Sequence, residues 1–173
     1  VTITDADLAN PVAYLREIGG EEASAPIRAG KGKGLTGRYY NNMTMTGTVR
    51  LTRTEAVDFT WGSAKPGSNV NANQFSVRWT GFVEAPATGT YVFQTISDDG
   101  VRLWVNGGQL VNNWTDHSAT TNTAGPINLV AGARYAVTME FYENGGDATA
   151  RLLWRTPGNT TFVAAPKDRL FPN

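Results

Sequence analysis

The stretch "TISDDGVRLWVNG", Thr95 to Gly107, sets two carboxylates side by side, Asp98 and Asp99, between two segments patterned as β-strand. Two like charges ~4 Å apart in a half-buried site repel by on the order of 4 kcal/mol at an effective dielectric of 20. Three arrangements relieve that repulsion: one carboxyl stays protonated, both face water at a turn, or a cation sits between them. The turn reading is the plain one, because Asp followed by Gly is a common turn pair and Gly100 would supply the positive φ such a turn needs. The cation reading asks for more oxygen, since a hard cation such as Ca²⁺ takes roughly 6–8 oxygen ligands and two Asp supply only part of that shell.

A second stretch offers the remainder. In "FYENGGDATARLLW", Phe141 to Trp154, two strand-like runs flank Glu143-Asn144-Gly145-Gly146-Asp147. Asn144 and Asp147 carry side-chain oxygens, and the carbonyls around Gly145 and Gly146 can approach an ion with no Cβ in the way. By itself "NGG" is an equally good hairpin signal. A third loop, "NNWTDHSATTN", brings Trp114, Asp116 and His117, the single histidine, within reach of the same end. Trp114 reads as a core residue and His117 as a solvated loop residue.

The elements that must position these loops are strands. From Leu35 onward "GRYYNN", "AVDFTW", "FSVRWTGFVEA", "TYVFQTIS", "VRLWVNG", "QLVNNW", "RYAVTMEFYE" and "ATARLLWRT" alternate apolar and polar, with Gly, Pro or Asn between nearly every pair. Short strands at that spacing predict an all-β fold, an antiparallel β-sandwich or barrel. Tyr91, Phe93 and Thr95 oppose Val92, Gln94 and Ile96, and Val101, Leu103 and Val105 oppose Arg102 and Trp104, so one face of each strand is core. Joined through "SDDG", these two strands are expected to pair as a hairpin with both Asp at its tip.

Residues 1–33 differ. Asn10 as N-cap, Pro11 at the first helical position, Val12, Leu15 and Ile18 on one face and Gly19 as a stop predict a short helix, followed by a linker rich in small and charged residues. The expected organisation is an N-terminal extension over 1–33 and a β-sandwich domain over 34–173.

Composition removes several function classes. Fifteen basic and fifteen acidic residues leave no net charge, which argues against a nucleic-acid footprint. There is no cysteine, hence no thiol chemistry and no disulfide. No apolar run approaches the ~20 residues that span a bilayer, so membrane insertion is not expected. The N-terminus lacks a basic and apolar leader pattern, and the chain is expected to start after processing or inside a larger protein.

"GLTGRYYNN", "FSVRWTGFVEAPATGTYVFQTISDDGVRLWVNG", "LVNNW" and "YENGGDATARLLW", occurring in that order, resemble the protective-antigen-fourteen domain family. That family is named for the anthrax toxin protective antigen and shared with yeast flocculins, bacterial adhesins and glycosidase inserts. The resemblance implies a sandwich of jelly-roll type. In the lectin branch it also implies a Ca²⁺ held by two adjacent Asp joined by a cis peptide, here Asp98 and Asp99. A second loop adds an amide side chain and carbonyls, here Asn144, Gly145, Gly146 and Asp147. Vicinal sugar hydroxyls then complete the metal shell at Asp98 and Asp99. The yeast members also use cysteines near the termini and a carbohydrate-contacting insertion; with neither, the chain looks more like the bacterial members.

The expectation is therefore a non-catalytic, calcium-dependent carbohydrate-binding module, a monomer as an isolated domain, on the outside of a bacterial cell within an adhesin, a sensor or a glycan-active enzyme. A structural or protein-interaction module of the same fold is the alternative. Glycosidase carboxylates stand ~5–5.5 Å or ~6.5–9.5 Å apart on opposite sides of the scissile bond. Two neighbours turned to one metal flank nothing.

Overall fold

A computed structural model describes residues 31–173. The helix expected between Asn10 and Gly19 lies outside the described residues. Twelve strands follow: β1 Leu35–Tyr40, β2 Leu51–Glu55, β3 Asp58–Gly62, β4 Phe75–Glu84, β5 Gly89–Asp98, β6 Val101–Val105, β7 Gly108–Asn113, β8 Thr120–Leu129, β9 Arg134–Glu143, β10 Ala148–Arg155, β11 Val163–Ala164 and β12 Leu170–Pro172. A single 3₁₀ turn, Lys167–Arg169, precedes the last of them.

They form two antiparallel sheets. The seven-stranded one runs β2-β1-β4-β9-β6-β7, with β12 also on β4; the five-stranded one runs β11-β10-β5-β8, with β3 also on β10. The alternation read from sequence sets the faces: Tyr91, Phe93, Val101, Leu103 and Val105 are buried, while Arg102, Trp104 and Gln94 turn outward. Aromatic rings join the two layers. Phe59 of the five-stranded sheet lies on Trp79 of the seven-stranded one at 6.2 Å between ring centroids, and Trp61 meets Phe75 at 5.6 Å and Phe141 at 5.9 Å. One continuous core results, and each fully buried side chain of this size contributes about 1.5–3 kcal/mol.

The expected hairpin through "SDDG" does not form. β5 pairs with β8 and β10 in one sheet, whereas β6 pairs with β7 and β9 in the other. Residues 98–100 thus carry the chain across the core. The connection between β9 and β10 crosses in the opposite sense, so "ENGGD" is not a hairpin tip either. A tight hairpin does occur at Asn106-Gly107, both at positive φ (52° and 78°), the pair of left-handed residues that a two-residue turn between twisted strands requires.

Gly100 also departs from its expected role. It is not among the glycines with positive φ. A Cβ built on it would lie 2.2 Å from the Tyr142 ring, so glycine is needed there for close approach.

Candidate metal and ligand site

The two crossings meet at one end of the sandwich. β5 ends at Asp98 in one layer, β9 ends at Glu143 in the other, and Thr149 pairs with Asp98 while Val101 pairs with Phe141. Asp98, Asp99 and Glu143 each present a carboxylate oxygen, and all three oxygens lie within 4.8 Å of one another. The peptide bond between Asp98 and Asp99 is cis, the geometry that the resemblance implies.

Glu143 was not among the residues singled out from sequence, and it is the most informative of the three. It is fully buried, and neither carboxylate oxygen has a hydrogen-bond partner. Burial, reinforced by the charges of Asp99 and Asp98, pushes its carboxyl up to about 8. Burial, and then the charge of Asp99, likewise raises Asp98. A carboxylate held in this way lacks a countercharge, because a buried anion with no donor forfeits its hydration with nothing in exchange.

Asp99 is oriented by backbone donors. The His117 N–H donates to its Oδ1 and the Asn144 N–H to its Oδ2, both at 2.9 Å. The Asn144 side-chain amide donates to Asp116 Oδ2 at 2.7 Å, and Tyr142 OH donates to Asp116 Oδ1 at 2.7 Å. Asp116, whose carboxyl these two donors hold below the usual carboxylate range, thereby fixes Asn144. The Asn144 amide oxygen has no protein partner among the described residues. Gly145, Gly146 and Asp147 are exposed, and Asp147 stands outside the three-carboxylate cluster.

The donor set is all oxygen, two layers contribute to it, and one member is an orphaned buried carboxylate. Those features fit a hard divalent cation and suit thiol-loving or imidazole-loving metals poorly.

Beside the cluster opens a cleft of about 290 Å³ lined by Met43, Thr44, Trp114, Asp116, Tyr142 and Asn144. Trp114 is a wall of this cleft, which corrects its expected place in the core. Its ring stands edge-to-face on Tyr142 at 4.7 Å and beneath the Arg102 guanidinium at 3.9 Å. His117 is half-buried with Nε2 unpartnered, not solvated as expected. Nothing local in the sequence marks Asp116 as a clamp, because its partners are 26 and 28 residues away.

Fold and site together define a two-layer β-module with an acidic cluster and an aromatic-walled cleft at one end. The chain belongs to the PA14 domain family, whose model matches residues 31–168. It is 39% identical over 147 residues to the anti-sigma-I factor RsgI3 of Acetivibrio thermocellus, covering 85% of this chain and 22% of that protein. An anti-sigma factor domain-containing protein from Clostridium clariflavum superposes with a TM-score of 0.79 at 32% identity, over 89% of this chain and 53% of the other. A PA14 sugar-binding domain from an RTX adhesin shares the fold at a TM-score of 0.67 and 20% identity, over 82% of this chain and 99% of that domain. The chain thus spans about a fifth of the curated anti-sigma relative and about half of the solved one. The domain is a non-catalytic module, as are the PA14 and anti-sigma-factor domains that it matches.

Proposed function

We propose that this domain is a calcium-dependent carbohydrate-binding module that recognises vicinal sugar hydroxyls, displayed outside a bacterial cell by a larger protein of the anti-sigma-factor sensor kind. The observation that carries the reading is Glu143, a buried carboxylate without a partner, set against Asp98 and Asp99. Ca²⁺ accepts six to eight oxygens at roughly 2.3–2.6 Å, and the three carboxylates, the Asn144 amide oxygen and the carbonyls of the 144–147 loop are the groups that would hold it. Asp147, exposed at the rim, is an outer contributor to the same field.

Positions left open on the solvent side would go to water or to a sugar. Two adjacent hydroxyls would take those positions and donate to the Asp98 and Asp99 carboxylates, a charge-assisted pair of contacts. The cleft beside the cluster, with an indole wall and the Asp116 acceptor, gives the rest of the sugar somewhere to lie. Few atoms are buried, so monosaccharide affinity near millimolar, about 4 kcal/mol, is expected, with avidity supplied by polymeric targets.

A sensor role is supported by the likeness to anti-sigma factor proteins, for which an extracellular glycan is a sensible input. The sugar-binding adhesin domain of the same fold supports glycan over protein as ligand. A glycan array run with Ca²⁺ and with EDTA tests the reading. Binding that disappears with EDTA and with Asp99→Ala is the expected result; glycan binding indifferent to both, or none at all, discards it.

A further inference from the structure

The outward face of the seven-stranded sheet carries a row of charge at one level. Arg38 of β1, Arg78 of β4, Glu140 of β9 and Arg102 of β6 are consecutive cross-strand partners. Three inter-strand steps of ~4.8 Å make the row roughly 14 Å wide. Glu140 is 6% exposed because two guanidiniums cover it: Arg78 Nη2 lies 2.7 Å from its Oε1 and Arg102 Nη2 lies 2.6 Å from its Oε2. Both arginines also donate through Nε, at 2.8 and 2.9 Å. One carboxylate therefore pins two cations and neutralises one. Arg38 is exposed and has no partner among the described residues, so the row keeps an excess of two positive charges on a chain whose net charge is zero.

Next to this row the same face forms an open trough of about 370 Å³, lined by Trp104, Gly107, Ala136, Thr138 and Glu140. Its floor is small side chains, one wall is an indole, and the Arg102 guanidinium stands 5.7 Å from that indole. The row crosses the strands and its Arg102 end also covers Trp114, whereas the trough runs along β9 from Glu140 to Ala136, away from Tyr142 and the acidic cluster.

We propose that this face is a second, calcium-independent binding surface for a polysaccharide carrying uronate carboxylates. An indole offers the apolar C–H face of a pyranose a flat partner, while Thr138 can meet a hydroxyl. Arg38 and the pinned pair Arg78 and Arg102 meet carboxylates; the pinned pair is already ordered, so little side-chain freedom is lost on binding. A peptide adding itself as a strand needs a sheet edge, and here the central strands β4, β9 and β6 have their backbone groups paired on both sides. The surface must be read through side chains, which suits a glycan.

The test uses the whole chain in EDTA, which makes it independent of the calcium reading: that reading can fail while this one holds, and the reverse. Retardation in gels containing alginate, a polyuronate, is compared with its carboxyl-reduced neutral counterpart and with poly-glutamate. Alginate should retard the protein at low salt, with the effect fading between about 0.05 and 0.5 M NaCl as the ~10 Å screening length shrinks. Arg38→Gln should weaken retardation and Trp104→Ala should weaken it roughly tenfold, the scale of an aromatic anchor. Both should leave the melting temperature within a few degrees of the parent, and Asp99→Ala should bind alginate unchanged. No retardation by alginate, equal retardation by the reduced polymer, or insensitivity to Trp104→Ala in a folded variant overturns the proposal. Equal retardation by poly-glutamate also overturns it, in favour of an acidic peptide partner.

Discussion

Glu143 is the residue on which the site turns, because its environment gives opposite consequences with and without a cation. Were all three ionised, carboxylate oxygens within 4.8 Å would repel one another by about 3–4 kcal/mol per pair at an effective dielectric of 20, and Glu143 has no donor to offset this. Without a cation, burial and the charges of Asp99 and Asp98 push the Glu143 carboxyl up to about 8, so at neutral pH it is already largely protonated, and Glu143→Gln costs the empty site little while removing an ionisable ligand from the filled one. The metal-free variant should therefore melt close to the parent temperature in EDTA, yet gain little from added Ca²⁺. A variant that melts lower in EDTA and keeps the full calcium shift would remove Glu143 from the site. Asp98 and Asp99 were legible in the sequence because adjacent charges between two strands demand a reason. Glu143 was not, because it closes the strand-like run "RYAVTMEFYE", where a terminal Glu reads as solvated, and only the passage of the chain from β9 to β10 in the other layer puts it inside.

At the scale of elements, eight of the strands coincide with runs whose alternation was visible, and β9 runs from Arg134 to Glu143, the run read from sequence. β8 was hidden. "TTNTAGPINL" is polar and contains Gly125-Pro126, which argue against a strand, but β8 lies at the edge of its sheet, where a missing N–H costs no ladder bond. The pairing partners were less legible than the strands: "DDG" looked like a turn, and which sheet a following strand joins depends on contacts far away in sequence. Gly100 records that crossing. Its carbonyl accepts from the Tyr142 N–H at 3.0 Å, and the Tyr142 ring fills the space where a Cβ would stand. Gly100→Ala must displace that ring, which also carries the bond to Asp116, so a loss of about 1–3 kcal/mol is expected, as for an overpacked interior. Urea denaturation measures it, and a change below experimental error would show that the ring yields freely.

For the whole molecule, the question is how strongly the two layers are tied at this end. Phe141, fully buried and in ring contact with Trp61, Phe75 and Trp79, is the apolar tie, and Phe141→Ala should cost about 3–5 kcal/mol in equilibrium unfolding. A loss under 1 kcal/mol would mean that the layers close over the gap. The acidic cluster is the second tie, two residues further along β9, and it joins Asp98 at the end of β5 to Glu143 only if a cation is bound. A ligand at a hundred times its dissociation constant stabilises the native state by about 2.7 kcal/mol. A chain of this size gains ~2–4 °C per kcal/mol, so calcium should raise the melting temperature by about 5–10 °C and EDTA should remove that increment. Because the ion would connect both sheets around one core, the increment should appear as a shift of a single cooperative transition. Hydrogen exchange at the ends of β5, β9 and β10 should slow with it. A melting curve unchanged between calcium and EDTA would leave the three carboxylates as an uncompensated cluster and remove the cation from the account of this fold.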